Sequence, residues 1–220
     1  MKILIFSDSH LTHKFDKELF DYISKLVKNV DQVIINGDFW DAYLTSYKKF
    51  TNSKWNELFP ILKKKNTIYV FGNHDKKKFM NGKHDLFSIH QADDYEFKSG
   101  NRDFYITHGH LISPTYDNIL FFRNPMFVRF LYRIFVFLTR KVKVFAKLFN
   151  PVEKKKNHKK LEILKEYSDK KKIGGQFFIF GHSHVPMLNI SDNFISLGTM
   201  QGKMGGYCII DDGKIDLFNE

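Results

Sequence analysis

Five short apolar runs in this 220-residue chain each end in residues able to bind a metal ion. Lys2–Phe6 leads into Ser7, Asp8, Ser9 and His10, and Gln32–Asn36 leads into Gly37 and Asp38, then Asp41. Thr67–Phe71 is followed by Gly72, Asn73, His74 and Asp75. Phe104–Thr107 ends at His108, Gly109 and His110, while Gln176–Phe180 ends at Gly181, His182, Ser183 and His184. A single junction of this kind would carry little weight, because turns favour Gly, Asp and Asn in any case. Five of them, all supplying Asp, Asn or His, point to one edge of a sheet converging on metal.

The runs KILIF, QVIIN, TIYVF and QFFIF are short, apolar and rich in β-branched or aromatic residues, as buried strands are. Between the first two, Leu19, Tyr22, Ile23, Leu26, Val27 and Val30 keep the three-and-four spacing of an amphipathic helix. Strands alternating with helices predict a largely parallel sheet, and in such sheets ligands gather beyond the carboxyl ends of the strands. Every candidate ligand sits at that end of its run. Asp8 with His10, and His182 with His184, lie two residues apart, so in extended backbone each pair would share a face.

The donor set limits the ion. Asp8, His10, Asp38, Asn73, His108, His182 and His184 offer carboxylate, amide and imidazole groups but no thiolate. Seven groups are too many for one tetrahedral zinc and suit two divalent ions sharing a bridging carboxylate. Mixed nitrogen and oxygen donors fit manganese, iron or zinc, and ligand type alone does not separate them, with manganese taken as the first expectation.

SDSH, GDFWD, GNHD, HGH and GHSH, in that order from Met1 to about Gly198, resemble the blocks of the calcineurin-like metallophosphoesterases. That resemblance implies a four-layer αββα sandwich. It also implies that Asp8, His10, Asp38 and His184 hold one ion. Asp38 would bridge to a second ion, held further by Asn73, His108 and His182. The closing segment GGYCIIDDGKIDLF, with Asp-Asp-Gly between two apolar runs, fits a terminal β-hairpin of such a sandwich.

The chemistry expected of such a centre is hydrolysis of a phosphoester, a phosphodiester or pyrophosphate. Two cations lower the pKa of a shared water, whose hydroxide attacks phosphorus in line with the leaving oxygen. His74 is the candidate acid for that leaving group, Asp75 beside it would orient the imidazole, and Asp41 would orient a ligand histidine. His110 is left outside the metal set, and His13, His84, His90 and His158 fit no block. With no Gly-rich phosphate loop, no GxSxG elbow and only Cys208 as a thiol, other nucleophilic chemistries have no support.

One domain with a sizeable core is expected from this length, and one cysteine fits a reducing, cytoplasmic setting. MKILIF leads straight into the first ligand block, which argues against a cleaved signal peptide, and no apolar stretch is long enough to span a bilayer. The net charge of +11 is localised: residues 111–172 carry sixteen Lys and Arg against five Asp and Glu, and the remainder is balanced. Read as a helix starting at Pro125 and stopping at Asn150-Pro151, Met126 to Phe149 is basic, Phe-rich and free of acidic residues. Such an insertion could cap the sandwich, bind nucleic acid, or form a lid for an acylated substrate at an anionic membrane surface. Arg123, Arg129, Arg133 and Arg140 would then meet substrate or membrane.

GDFWDAY, HGH and the stretch from Tyr116 to Pro125 look like the UDP-2,3-diacylglucosamine hydrolase branch, whose helical insertion holds acyl chains. That branch tends to have Arg and Asp where this chain has His74 and His110, which favours a phosphoesterase with its acid in place. The expectation is a lipid- or nucleotide-linked substrate, peripheral at the inner face of the membrane. A general phosphodiesterase, nuclease or cyclic-nucleotide phosphodiesterase is the alternative, and a non-catalytic scaffold a further one.

Overall fold

The two faces of the first strand point to different layers, and this decides the architecture. The computed structural model describes residues 1–80, 82–83, 85–114, 130–134, 136–138, 143–171, 175–201 and 205–219, with only the helical backbone for 143–149. Strands β1 (Lys2–Phe6), β2 (Gln32–Asn36), β3 (Ile68–Val70) and β4 (His90–Ala92) are parallel neighbours. The terminal hairpin β10 (Tyr207–Asp211) and β11 (Lys214–Phe218) completes a six-stranded sheet, ordered β11-β10-β1-β2-β3-β4. Its turn places Asp212 and Gly213 at φ 45° and 79°, the left-handed pair that a two-residue hairpin requires.

A second sheet has the order β5-β6-β7-β9-β8, from β5 (Asp94–Ser99), β6 (Arg102–Thr107), β7 (Phe177–Phe180), β8 (Met187–Asn189) and β9 (Phe194–Ser196). Here β6, β7 and β9 are parallel and the two edge strands antiparallel.

Successive residues of a strand point to opposite faces. Ile3 and Ile5 of β1, with Ile34, Ile68 and Val70, therefore meet Phe104, Ile106, Phe177, Ile179 and Ile195 of the second sheet in a dry inter-sheet core. Leu4, Phe6, Val33, Ile35 and Tyr69 face the other way, onto α1 (Lys17–Lys28), α2 (Tyr47–Thr51) and α3 (Phe59–Lys64). Helix α1 follows its sequence pattern: Leu19, Ile23 and Val27 are buried, and the Asp16 carboxylate accepts a hydrogen bond from the Leu19 amide at 3.1 Å.

The fourth layer comes from the basic insertion. Helix α4 (Lys143–Lys171) packs Leu161 and Leu164 on Phe178, Phe180 and Phe194, the outer face of the second sheet. The expected stop at Asn150-Pro151 is overturned, because α4 runs through Pro151. An internal proline costs about 3 kcal/mol through its lost hydrogen bond and ring clash. The contacts that seat the later turns of α4 on the second sheet outweigh it. The sandwich is thus αββα, and part of the region read as a lid is structural. Arg123, Arg129 and Arg140, and the stretch from Tyr116 to Pro125, lie outside the described residues.

Leu164 is fully buried under this layer. Leu164→Ala is expected to lower unfolding free energy by about 2–5 kcal/mol, the usual cost of a buried leucine truncation. Urea denaturation followed by circular dichroism measures it, and a change confined to a few tenths would show that α4 does not depend on this contact.

Candidate metal centre

All five carboxyl-terminal strand ends open at one edge shared by the two sheets. Strand β1 delivers Asp8 and His10, β2 delivers Asp38, and β3 delivers Asn73 and His74; β6 and β7 bring His108, His182 and His184 from the second sheet. The ligand pairs are not in extended backbone, as their spacing had suggested. Asp8, His10, Asp38, His182 and His184 have φ of 56°, 45°, 52°, 60° and 59°. Among the described residues these are five of eight non-glycine positions in the left-handed region, so the strain is concentrated on the candidate ligands. Each costs about 1–3 kcal/mol and persists only where the surroundings over-determine it. Here the chain leaves each strand in a tight hook that turns the side chain back over the edge, held by bonds such as His10 N–H to Asp38 O at 2.8 Å.

Apart from one close pair, the donor atoms converge at spacings too long for good hydrogen bonds. Nε2 of His10 is 3.8 Å from both Asp8 Oδ1 and Asp38 Oδ2, and Nε2 of His108 is 3.4 Å from Asp38 Oδ2 and 4.0 Å from Asp8 Oδ1. Nε2 of His184 lies 3.1 Å from Asp8 Oδ1. Both of the buried nitrogens, His10 Nε2 and His108 Nε2, make no hydrogen bond. Buried polar atoms without partners are rare, and donors around a shared cation stand at about such separations. Asp8, His10 and His184 form one group of atoms within 4.8 Å of one another, and Asp8, Asp38 and His108 a second. Asp38 faces both His10 and His108, the placement a bridging carboxylate needs. The residues therefore fit two divalent ions.

Neighbouring groups fix the unused ring nitrogens. His108 Nδ1 lies 2.8 Å from the Asn36 carbonyl and His182 Nε2 lies 2.9 Å from the Ser113 carbonyl, so each donates there and leaves its other nitrogen as a candidate ligand atom. His182 joins none of the three groups of converging atoms, the third being His10, Asp41 and His74, but its ring centroid is 5.3 Å from that of His108.

The electrostatics match. Burial opposes charge on Asp8 and Asp38, yet His184 and His108 beside the first, and His108 and His74 beside the second, hold both well below the ordinary carboxylate range. Burial, then His74, lowers His10 to about 4, and burial with Lys160 nearby keeps His182 neutral. Burial likewise opposes a proton on His108, but Asp38 and Asp8 outweigh it and raise His108 to about 9. Two carboxylates thus favour positive charge between them, which the proton on His108 supplies in part and a bound cation would supply in its place.

A family model for the calcineurin-like phosphoesterase superfamily domain matches residues 1–210. The chain belongs to that superfamily. No curated protein sequence matches it. Among solved structures, the phosphoesterase YfcE from E. coli is 13% identical with a TM-score of 0.51, covering 100% of this chain and 93% of its own. A Vps29 single mutant from Entamoeba histolytica is 15% identical with a TM-score of 0.50, covering 99% of this chain and 97% of its own. At these identities the likeness concerns the fold. As a calcineurin-like phosphoesterase, the chain is placed among metal-dependent phosphoester hydrolases, and its Asp and His clusters are those that could hold the metals.

Within this phosphoesterase the histidine after Asn73 finds a different partner from the one its sequence neighbour suggests. Asp75 accepts the Gly72 amide at 2.7 Å and the Phe39 amide at 2.6 Å, so it ties the loop after β3 to the loop after β2. Asp41 is the carboxylate against His74, with Oδ2 3.3 Å from Nδ1, and the same oxygen is 3.8 Å from His10 Nδ1. Its other oxygen accepts the amides of Tyr43 and Leu44, which locks the carboxylate in place. Adjacency in sequence pointed to Asp75; the hook after β2 brings Asp41 instead. Tyr43 went unnoticed in the sequence: its hydroxyl donates to the Asn73 carbonyl at 3.2 Å and its ring stands edge-on to His74 at 4.7 Å.

The motif glycines are needed for clearance beneath the ligands. A methyl at Gly72 would collide with the carboxylate and amide of Asp38, and one at Gly37 would come within 2.5 Å of His108 Nδ1. Gly72→Ala is expected to reduce phosphoester turnover by about a hundredfold by displacing Asp38, with the fold retained. Steady-state kinetics beside a circular dichroism spectrum checks this. Asp75→Asn sets an amide donor against a backbone N–H and should cost about 1–3 kcal/mol of stability in urea unfolding.

Proposed function

We propose that this chain hydrolyses a phosphodiester or pyrophosphate that carries an apolar group, with Asp8, His10, Asp38 and His184 holding one divalent ion and Asp38, Asn73, His108 and His182 the other. The observation that carries this reading is Asp38, buried and facing His10 on one side and His108 on the other. When bound, the two ions would supply Lewis-acid stabilisation of the phosphoryl oxygens and a water nucleophile active near neutral pH.

The chain's own residues supply the rest. His74 stands at the rim with Nδ1 against Asp41, and a carboxylate there fixes the tautomer and stabilises a proton on the ring, as required of an acid for the leaving oxygen. Although burial opposes its charge, Asp41 is held below its ordinary value by His74. The amide of His74 donates to Asp38 Oδ1 at 2.8 Å, so acid and bridging carboxylate keep a fixed relation.

An apolar half for the substrate is supported by what lies next to His74. The ring of Tyr132, from the insertion, is 5.5 Å from Tyr43 and 6.1 Å from His74, and Arg133 Nε donates to the Tyr43 carbonyl at 3.2 Å. In the same helical stretch Phe130, Ile134 and Phe137 are 58%, 41% and 61% exposed at helical spacing, an apolar face with nothing of the described chain over it. A nucleotide-linked lipid of the UDP-diacylglucosamine type has both halves, and Arg133 beside this face suits an anionic membrane surface. No helix among the described residues is long and apolar enough to cross a membrane. A non-catalytic scaffold would have no need of strained hooks and a complete donor set.

Purified protein supplied with manganese is expected to cleave an aryl phosphodiester. Asp38→Ala or chelation should abolish the activity. His74→Ala should slow esters of poor leaving groups by about 10²–10⁴-fold and para-nitrophenyl esters far less. Activity surviving full removal of metal would overturn the dinuclear reading, and equal losses on both esters would remove His74 from the role of acid.

A further inference from the structure

The side of the centre next to His184 has a character unlike the aromatic side next to His74. A groove of about 360 Å³ opens there between the first half of α4 and the loop after β7. Asn150, Glu153, Lys154, Asn157 and His158 line it from the helix, and His184 and Pro186 from the loop. The helix residues recur at spacings of three and four, so a single face of α4 forms the wall. That wall is fixed by the fold. Later residues of the same helix, Leu161 and Leu164, are buried on the second sheet, and Lys160 Nζ donates to the His182 carbonyl at 3.1 Å.

Size and chemistry together narrow the ligand. The volume lies in the range of small-ligand sites and admits a sugar or nucleoside. Glu153 beside Lys154 brings both signs of charge to the wall. The two side-chain amides of Asn150 and Asn157, with the His158 imidazole, offer paired donors and acceptors for a hydroxyl- or amide-bearing edge. Since His184 belongs to both the groove and the Asp8–His10–His184 group, a molecule in the groove abuts that group of candidate ligands.

We propose that this groove binds the non-leaving half of the substrate, a sugar- or nucleoside-bearing group joined to phosphorus on the His184 side, an inference that rests on the phosphodiester reading above. The half that departs then lies beside His74, where its proton is supplied.

Two esters with one leaving group test this. Bis-para-nitrophenyl phosphate has an aryl non-leaving half, and para-nitrophenyl thymidine monophosphate has a nucleoside there. Wild-type protein with manganese should favour the nucleoside ester. The double variant Asn150→Leu, Asn157→Leu should lose about tenfold in kcat/KM on that ester, mostly through KM, as expected for two lost hydrogen bonds. Its loss on the bis-aryl ester, whose non-leaving half makes no such hydrogen bonds, should be much smaller, and an unchanged circular dichroism spectrum shows that the variant is folded. Equal losses on both esters, no loss on the nucleoside ester, or no wild-type preference would overturn the groove assignment. If the wild type cleaves neither ester, the phosphodiester reading itself fails. Calorimetric titration with thymidine monophosphate then decides the groove alone: binding that the double variant loses sustains it, and no binding, or binding that the variant keeps, removes it.

Discussion

Two carboxylates held ionised in a dry interior constrain nearly everything else in this molecule. Asp8 and Asp38 are 0% and 1% exposed, at a depth where an unpaired charge would not survive. Their charges persist because imidazoles and backbone amides surround them: His182 N–H on Asp8, His74 N–H on Asp38, and the rings of His10, His108 and His184 at the open edge. Packing this many polar groups into one place requires left-handed hooks at the strand ends and glycines where a side chain would intrude. The motif residues between the ligands are therefore as constrained as the ligands.

That edge depends on two sheets meeting in register. The β1, β2 and β3 ends come from one sheet and the β6 and β7 ends from the other, so the inter-sheet core of Ile5, Ile34, Ile106 and Ile179 sets the distances between donors. The insertion then closes the arrangement from two directions. Its stretch around Tyr132 meets Tyr43 and His74, while α4 seals the second sheet and walls the groove at His184. A single basic segment thus gives the centre one aromatic flank and one hydrogen-bonding flank, the division that a substrate with two unlike halves calls for.

Much of this was legible before folding. The β1 and β2 boundaries, the course of α1 and the terminal hairpin agree with patterns of apolar spacing and turn residues, because each depends on local alternation and local sterics. Edge strands such as β4 and β8 escaped notice: three residues long and half exposed, they have no pattern of their own. The path of α4 through Pro151 was misread for a related reason, since a local stop signal yielded to contacts made further along the helix. The partner of His74 differs from its sequence neighbour for the same reason: Asp75 reaches a neighbouring loop, and Asp41 arrives from it.

The sequence by itself determined the donor set: Asp, Asn and His at five strand ends, with no thiolate among them, suit divalent ions that accept mixed nitrogen and oxygen ligands, since ligand preference is a property of the side chains. Only the tertiary structure decided which donors face one another, that Asp41 backs His74, and that the two flanks of the centre differ. Those are distances between residues far apart in the chain, set by how two sheets and a long helix pack, and no local pattern encodes them.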